Sequence, residues 1–458
     1  MADRAAWSEY LDQRQPHFVE ELRELVRIPS ISALPEHAAE VSRAAEWVAG
    51  RLRAAGVEGV RVVPTGGHPA VIGEWLRAPG KPTVTLYGHF DVQPVDPLDL
   101  WTDPPFSAAL RDGRIYGRGA SDMKGGVLAT IIAVETLLQT AGSLPVNVKF
   151  LFEGQEEIGS PQMASFLADH RALLATDYVV MADGGQWSET EPALSLGLRG
   201  VVGMEVHVFG ARTDLHSGGY GGTIANPLHA LAELIASMHR PDGTIAVEGF
   251  YDDVAVLSAE ERARIAAVPF DEAEYLAQLG VPELFGEPGY STYERTWVRP
   301  TLEVNGMWGG FQGEGNKTVL PNAAHAKITC RLVPNQEPGR IAELVRAHVE
   351  GHAPRGVRVE LRPMGLGARP YVVPAEHPGV VAARDVLTDV YGREPYYVRS
   401  GGSVPISGML LEALGAYSIP LGFALKDERS HAPNEFYRLA SYRRAQEVYI
   451  RLLERAGA

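Results

Sequence analysis

The sequence predicts a doubly wound α/β domain with a mostly parallel sheet, interrupted by an inserted α+β domain. Short apolar runs rich in Val, Tyr and Phe alternate with helical stretches before about Arg199. The pattern then changes, and the earlier mixture of helix and strand returns near Gly379. We therefore expect one domain in two segments, 1–198 and 375–458, and a second domain over 199–374.

The first segment begins with two predicted helices. One covers 7–27 and ends before Pro29, since proline disfavours helical backbone in the residue before it. The other covers Ala38–Ala55, and a third, strongly helical stretch covers Gly126–Thr140. Three short apolar runs bounded by polar residues or glycine are predicted to be strands: Thr83–Tyr87, Val146–Phe152 and Tyr178–Met181.

The inserted domain begins with an alternating strand pattern over Val201–Val208, followed by a Gly-rich loop at Leu215–Gly222. The helix predicted over Asn226–Met238 carries its apolar side chains on one face. A charged and aromatic insertion covers 244–300. The remaining predicted elements of the chain are the strands Thr301–Val304, His325–Val333, Val357–Leu361 and Ala416–Pro420, and the helices Arg340–His348, Gly379–Tyr391 and Tyr437–Ala456.

Composition excludes several classes of protein. The 458 residues include 42 Lys and Arg and 57 Asp and Glu, and the net charge of −15 argues against nucleic acid or an anionic membrane as the main partner. Cys330 is the single cysteine, which rules out an internal disulfide and a Cys-rich zinc module. No apolar run reaches the roughly 20 residues of a membrane helix, and the N-terminus lacks the apolar core of a secretory signal. We therefore expect a cytoplasmic protein.

Metal-type ligands follow each of the three predicted strands of the first segment. His89 and Asp91 follow the first strand, Glu156 and Glu157 follow the second, and Asp183 follows the third. In an open parallel sheet, ligands gather beyond the carboxyl ends of the strands. The three loops are therefore expected to converge. Alone, each group has an ordinary interpretation, such as a turn or a solvated pair of carboxylates.

Two other loops add to this set. Asp122 lies just before the Gly126–Thr140 helix, and His431 lies late in the chain. Imidazoles and carboxylates without a thiolate suit zinc, manganese or cobalt. His89 and Asp91 are two residues apart, so Asp91 can accept the second ring N–H of a metal-bound imidazole. Of two adjacent glutamates, one can bind metal while the other accepts a proton.

The set of motifs resembles one known family. Gly88-His-Phe-Asp91, Gly117-Arg-Gly-Ala-Ser-Asp122-Met-Lys-Gly125, Glu156-Glu157, Asp183 and His431 occur in the order found in M20 metallopeptidases, which include dipeptidases, carboxypeptidases and N-acyl-amino-acid hydrolases. The resemblance extends from Arg27 to the last helix. Three segments are most similar to the cytosolic nonspecific dipeptidase branch: Asp214–Gly222, Gly289–Arg295 and Arg331–Pro334.

The resemblance implies a hydrolase that cleaves the single peptide bond of dipeptides with water shared between two divalent metals, zinc before manganese or cobalt. Glu156 would be the general base and Asp91 the partner of His89. The implied metal ligands are His89 and Asp183 on one ion, Glu157 and His431 on the other, and Asp122 between them, beside a cis Asp122–Met123 peptide.

The resemblance also implies that the inserted domain is a lid that forms a homodimer. His216 would reach the site of the neighbouring subunit and stabilise the oxyanion. Thr318, Arg331 and Ser403 would hold the substrate near its terminal carboxylate, and arginine offers the forked donor geometry that a carboxylate needs.

Two departures from the family pattern affect the expected substrate range. Leu366 stands where the eukaryotic dipeptidases carry a histidine, and Ser400 replaces the glutamate of an Arg-Glu-Gly-Gly-Ser segment.

One alternative to dipeptide cleavage is the same chemistry on an N-acyl amino acid or at the C-terminus of a longer peptide. Another is a catalytically silent binding protein, although such relatives usually lose a ligand or the base.

Overall fold

The computed structural model describes residues 4–402 and 404–458. The chain divides into two compact units. Unit 1 contains Met1–Leu196, Val373–Val398 and Pro405–Ala458, and unit 2 contains Gly197–Val372 and Arg399–Val404. None of the helices in the described part of the chain has both the length and the apolar character needed to cross a membrane. The predicted α/β class with an interrupting domain is confirmed.

The strands are numbered in chain order. They are β1 (Glu58–Val63), β2 (Ala70–Trp75), β3 (Thr83–His89), β4 (Ala109–Arg111), β5 (Arg114–Tyr116), β6 (Asn147–Glu153), β7 (Tyr178–Met181), β8 (Ala193–Leu198), β9 (Gly200–Phe209), β10 (Leu215–His216), β11 (Thr301–Gly309), β12 (Val319–Leu320), β13 (Ala323–Leu332), β14 (Arg358–Ala368), β15 (Tyr371–Val372), β16 (Tyr396–Ser400), β17 (Tyr417–Pro420) and β18 (Phe436–Arg438).

The α-helices are numbered in the same way. They are α1 (Arg4–Val26), α2 (Ala38–Ala54), α3 (Gly125–Ala141), α4 (Met163–Asp169), α5 (Arg171–Leu174), α6 (Ser217–Tyr220), α7 (Pro227–Ser237), α8 (Ala259–Ala266), α9 (Glu272–Leu279), α10 (Thr292–Trp297), α11 (Pro338–Gly351), α12 (Pro378–Tyr391), α13 (Pro405–Leu414) and α14 (Leu439–Ala456).

Unit 1 is built on a six-stranded sheet with the order β1-β2-β6-β3-β7-β17. The strands β6, β3, β7 and β17 are parallel, whereas β2 pairs antiparallel with both β6 and β1. The chain leaves β3, passes through α3 to β6 on one side, and later reaches β7 on the other side of β3. This reversal of direction at β3 is where doubly wound sheets bind their ligands.

Two groups of helices pack around this sheet. The helix α3 is buried along almost its whole length, from Gly125 to Leu137, and it contacts α1 and α14. The helices α4, α5 and α13 form a second group in mutual contact. Because α3 begins three residues after Asp122, its burial in the core limits where the backbone of that residue can lie.

Unit 2 contains an antiparallel four-stranded sheet with the order β11-β13-β9-β14. Alternate residues of β9 and β13, such as Val206 and Ile328, point into a core that α7 and α11 cover. A separate two-stranded ribbon pairs β10 with β12. This period of two is the pattern that predicted β9 from the sequence.

The strands β1 and β2 and the small helices of the insertion were missing from the prediction. The strand β1 lies at the edge of the sheet and is largely exposed, so it lacks an alternating apolar pattern. The helices α8 and α10 are short but begin with capping boxes at Ser258 and Ser291. The loop predicted at Leu215–Gly222 contains β10 and α6.

Candidate metal centre

The carboxyl ends of four parallel strands bring the candidate ligands together. His89 is the last residue of β3, and Asp183 lies two residues after β7. Glu156 and Glu157 follow β6, and His431 lies in the loop after β17. Since parallel strands end at the same edge of a sheet, all these side chains reach one site.

The candidate ligands form two groups of three that share Asp122. One group contains His89, Asp122 and Asp183, and the other contains Asp122, Glu157 and His431. In each group the ligand atoms lie within 4.8 Å of one another. Asp122 Oδ1 lies 3.3 Å from His89 Nε2, and Asp122 Oδ2 lies 3.0 Å from His431 Nε2. The two oxygens of Asp122 therefore face different imidazoles, as a bridging ligand requires.

These residues fit a pair of divalent cations. Within the described residues, the buried Nε2 of His89 forms no hydrogen bond, although Asp122 lies nearby. A buried ring nitrogen without a partner is costly unless it accepts or binds something. The donor set of imidazoles and carboxylates, without thiolate, suits zinc, manganese or cobalt. The two groups could hold one ion each, with Asp122 shared.

Asp91 contacts both the His89 imidazole and the backbone of the two glutamates. The ring Nδ1 of His89 lies 3.1 Å from the backbone carbonyl of Asp91 and 3.5 Å from its carboxylate. The carboxylate also accepts hydrogen bonds from the backbone N–H groups of Glu156, at 3.2 Å, and Glu157, at 3.1 Å. The carbonyl thus orients the imidazole, with Nε2 directed at the site, while the carboxylate positions both glutamates.

The crowded charges change the pKa values of the candidate ligands. Burial raises the pKa of Asp183 to about 6, and the charge of Asp122 adds to this effect. Burial also raises the pKa of Glu156 well above its usual value, with neighbouring carboxylates acting in the same direction. Hydrogen bonds to Asp122 and Glu157 raise the pKa of His431 to about 10. A bound dication would relieve this repulsion among carboxylates.

The loop that carries Asp122 has an unusual backbone. The Asp122–Met123 peptide is cis, which confirms the expected isomer. Gly119 has φ of +84°, and a Cβ there would lie 2.4 Å from Val92 Cγ1, so only glycine fits. Gly126, in the first turn of α3, packs against the carbonyl of Ala182. Gly119 and Gly126 thus let this loop and the start of α3 pack closely against Val92 and Ala182.

Sequence reasoning missed several residues that hold the ligands. Gln93 donates hydrogen bonds to the carbonyl of Glu157, at 3.1 Å, and to its carboxylate, at 2.9 Å. Glu428 and Glu435 contact the loop of Asp122 from either side of His431 in the sequence. Glu435 lies four residues after His431, but a lone side chain carries no sequence signal of a partner far along the chain.

The other predicted residues lie in unit 2. His216 ends β10 and pairs with Val319, next to Thr318, whose carbonyl accepts the N–H of Ser217 at 3.0 Å. His216 and Thr318 are both exposed. His216 Nδ1 accepts hydrogen bonds from two glycine N–H groups, at 2.9 and 3.2 Å. An accepting Nδ1 leaves the ring proton on Nε2, so His216 is a neutral donor.

Arg331 lies on β13 and lines a cavity of about 530 Å³ within unit 2. Arg199 and Arg299 line the same cavity, together with Glu287, which pairs with Arg299 at 2.6 Å. The cavity therefore carries an excess of positive charge from guanidinium groups, which suits a carboxylate. Ser403 lies outside the described residues, as does the side chain of Leu366.

The substituted position Ser400 holds its own loop. Its hydroxyl oxygen accepts the N–H of Gly402 at 3.1 Å, and its carbonyl accepts the N–H of Arg199 at 3.2 Å. The Ser400 side chain thus forms a local bond to Gly402, while its backbone carbonyl ties the residue to Arg199.

Comparison with known proteins finds a matching family model and similar chains. The model of Peptidase family M20/M25/M40 matches residues 85–455. The "Beta-Ala-His dipeptidase" of Homo sapiens is 33% identical over 445 residues, which are 93% of this chain and 87% of that protein. The "Cys-Gly metallodipeptidase dug1" of Schizosaccharomyces pombe is 30% identical, and the alignment covers 93% of each chain.

A solved structure shows the same fold. The crystal structure of the M20 family metallo-carboxypeptidase Sso-CP2 from Sulfolobus solfataricus has a TM-score of 0.84 and 33% sequence identity. The alignment covers 96% of this chain and 99% of that one. The similar proteins thus include both dipeptidases and a carboxypeptidase.

Proposed function

We propose, since the chain belongs to peptidase family M20/M25/M40, that it is a metal-dependent hydrolase that cleaves the peptide bond of dipeptides. The observation that carries this proposal is the pair of ligand groups sharing Asp122, with Glu156 beside them. Glu156 Oε2 lies 3.9 Å from His89 Nε2. A potential proton acceptor therefore lies next to two potential metal positions.

We assign one ion to His89, Asp122 and Asp183 and the other to Asp122, Glu157 and His431. Two divalent ions, when bound, would supply Lewis acidity at the scissile carbonyl and lower the pKa of the attacking water. Zinc is the metal that we expect first, with manganese or cobalt as substitutes, because the ligand set contains nitrogen and oxygen donors only.

Glu156 is the proposed general base. It would take the proton of the attacking water and pass it to the leaving amine. Burial and the surrounding carboxylates raise its pKa, which favours its holding that proton between the two steps. The hydrogen bonds that the backbone N–H groups of Glu156 and Glu157 donate to the Asp91 carboxylate keep the proton acceptor and the ligand in fixed relative positions.

Unit 2 would supply the groups that recognise the substrate. His216 is a neutral donor through Nε2, which is what stabilisation of a developing oxyanion needs. Arg331, in a cavity with further guanidinium groups, is the proposed partner of the substrate's terminal carboxylate. We propose that Thr318 and Ser403 assist it. We also propose a homodimer in which His216 serves the neighbouring subunit.

The dipeptide assignment draws on the relatives, which are named as dipeptidases for beta-Ala-His and Cys-Gly. The second candidate is a carboxypeptidase that removes the last residue of longer peptides, and the metallo-carboxypeptidase with a TM-score of 0.84 favours it. Both activities need a group that binds the C-terminal carboxylate of the substrate. They differ in whether the site accepts a chain beyond the first residue.

A hydrolysis panel on protein of known metal content tests the proposal. The panel contains dipeptides, tripeptides and N-acetyl amino acids, each offered to protein stripped with a chelator and to protein reloaded with zinc, manganese or cobalt. We expect dipeptide hydrolysis that disappears on chelation and returns with metal.

The pattern across the panel separates the candidates. Cleavage of tripeptides at a rate similar to that of dipeptides would favour the carboxypeptidase. Preference for N-acetyl amino acids would favour an amidohydrolase, and activity unaffected by chelation would refute the metal site. Inactivity towards every substrate after reloading would favour a silent binding protein.

A further inference from the structure

Glu435 is a fully buried carboxylate that lies beside the candidate metal centre without being a candidate ligand. Its Oε1 accepts hydrogen bonds from the backbone N–H groups of Ser121, at 3.0 Å, and Asp122, at 3.1 Å. Its Oε2 accepts from the N–H of Gly119 at 3.1 Å and from the Arg118 guanidinium at 2.7 Å. All four partners are donors, so the side chain acts as an acceptor at every contact.

Strand pairing explains why Glu435 reaches this loop. The strand β18 is antiparallel to β5, with Phe436 opposite Tyr116. Residues just before Phe436 therefore run alongside residues just after Tyr116. The carbonyl of Glu435 accepts the N–H of Gly117 at 2.9 Å, which extends this pairing by one residue. Glu435 is thus placed against the loop that leads to Asp122.

The turn that carries His431 has an uncommon backbone. The φ angles of Arg429, His431 and Asn434 are 61°, 62° and 62°, in the left-handed region that non-glycine residues rarely adopt. The Asn434 amide is tied at both ends, accepting the N–H of Thr102 at 2.7 Å and donating to the carbonyl of Leu100 at 2.8 Å. Such a turn persists only when the surrounding bonds hold it.

A second buried carboxylate connects the same two segments. Glu428, three residues before His431, accepts a hydrogen bond from the Ser121 hydroxyl at 2.9 Å. Glu435, four residues after His431, bonds to the backbone of Ser121 and Asp122. The turn of His431 and the loop of Asp122 are therefore joined at two points.

We propose that Glu435 is a positioning residue that sets the place of Asp122 relative to His431 and thereby determines the affinity for both ions. Asp122 belongs to both ligand groups, so its displacement weakens both positions. The inference rests on the proposed two-metal function. Glu435→Gln keeps the size of the side chain, but its amide nitrogen is a donor and would face N–H groups that need an acceptor.

The test measures metal affinity rather than turnover. Apo protein is titrated with Zn²⁺ in competition with a chromophoric chelator, and Co²⁺-loaded protein is examined by visible absorption. We expect E435Q to bind both ions about 10–100-fold more weakly, as is usual when a group that holds a metal ligand is removed. The Co²⁺ spectrum should change because the geometry of a shared ligand changes. Glu435→Asp, which keeps the charge, should recover part of the affinity.

Glu135→Gln is the matched control. Glu135 is also a buried carboxylate of unit 1, accepting a hydrogen bond from Tyr10 at 2.6 Å and paired with Arg51. It lies ten residues into α3, about 15 Å from the helix start. E135Q should lower the melting temperature comparably and leave zinc affinity within about threefold of the parent.

The measured zinc affinities and Co²⁺ spectra support or overturn the proposed role of Glu435. Zinc affinity of E435Q within about threefold of the parent, with an unchanged Co²⁺ spectrum, would overturn it. Equal losses of affinity in E435Q and E135Q would also overturn it, because the effect would then follow stability alone. If E435Q is not recovered folded, E435D decides instead: its shorter side chain should restore only part of the affinity, so zinc binding equal to that of the parent would overturn the inference. A parent that binds fewer than two ions would refute the proposed function itself.

Discussion

The two units present their candidate functional residues in different ways. In unit 1 the ligands lie at the ends of buried parallel strands, and other groups hold them in place, such as the Asp91 carboxylate beneath Glu156 and Glu157. In unit 2, His216 is exposed and bonded only to its own local backbone through Nδ1 in the described residues. Arg331 lies between these extremes, on a sheet strand that lines a cavity.

This difference separates reaction chemistry from substrate recognition. Groups that must keep fixed distances to two ions need support from several elements, because small displacements of a ligand weaken binding. Groups that meet a substrate need access to solvent and a defined donor direction. The comparison therefore predicts that substitutions in unit 1 change metal affinity or proton transfer, whereas those in unit 2 change contacts with the substrate, either when it binds or in the transition state.

Glu156→Gln tests the chemistry of unit 1 and should have the largest effect. We expect kcat to fall by about 10²–10⁴-fold, since an amide cannot accept the proton, while metal content stays at the parent level. Steady-state kinetics and metal analysis measure both quantities. Glu9→Gln, at an exposed position of α1, is the control and should retain full activity. Turnover near that of the parent would exclude Glu156 as the base.

His216→Ala tests whether unit 2 contributes to the transition state. We expect kcat to fall by about 10²–10³-fold, as for the loss of one oxyanion donor. If His216 serves the neighbouring subunit, mixing inactive H216A and E156Q subunits restores one complete site in each heterodimer. Random pairing makes half of the dimers heterodimers, so about one quarter of parental activity should return.

A second mixture distinguishes action within a subunit from action across the dimer. Parent subunits are paired with the double variant E156Q/H216A. A trans-acting His216 leaves these heterodimers inactive, whereas a cis-acting one leaves the parental site intact. Parental homodimers alone supply about one quarter of parental activity in this second mixture, and a cis-acting His216 would raise that to about one half. Activity near one half here, with no recovery in the first mixture, would contradict the proposal.

The ligand set of unit 1 could be predicted from sequence because a general rule covers it. Loops that follow parallel strands meet at one edge, so metal-type residues after three successive apolar runs are expected to converge. The strands themselves stood out because their residues are buried on both faces, as in Val84–His89. The exposed edge strand β1 has no comparable pattern, and it was missed.

The supporting contacts could not be predicted in this way. Glu435 bonds to Ser121 across 314 residues of sequence, and only the pairing of β18 with β5 brings them together. The orientation of His216 depends on hydrogen bonds from Gly218 and Gly219, which the Gly-rich segment permits but does not specify. Such contacts follow from tertiary structure rather than from local pattern.

Arg331 tests how specific the recognition by unit 2 is. If its guanidinium binds the substrate's terminal carboxylate, Arg331→Met should raise KM by about 10–100-fold, the value of one or two hydrogen bonds to a charged group, and change kcat less. Arg331→Lys should be intermediate, because lysine keeps the charge but not the fork. Kinetics on a dipeptide and on its C-terminal amide measure the effect.

The amide substrate makes the Arg331 experiment the sharpest test of recognition by unit 2. The parent should discriminate against the amide, and R331M should lose most of that discrimination, since both substrates then lack the same interaction. Lys327→Met, at an exposed position of the same strand, should leave the discrimination unchanged. If R331M still prefers the free carboxylate as strongly as the parent does, another group binds the C-terminal carboxylate of the substrate. The role of Arg331 would then be confined to the folded structure of unit 2.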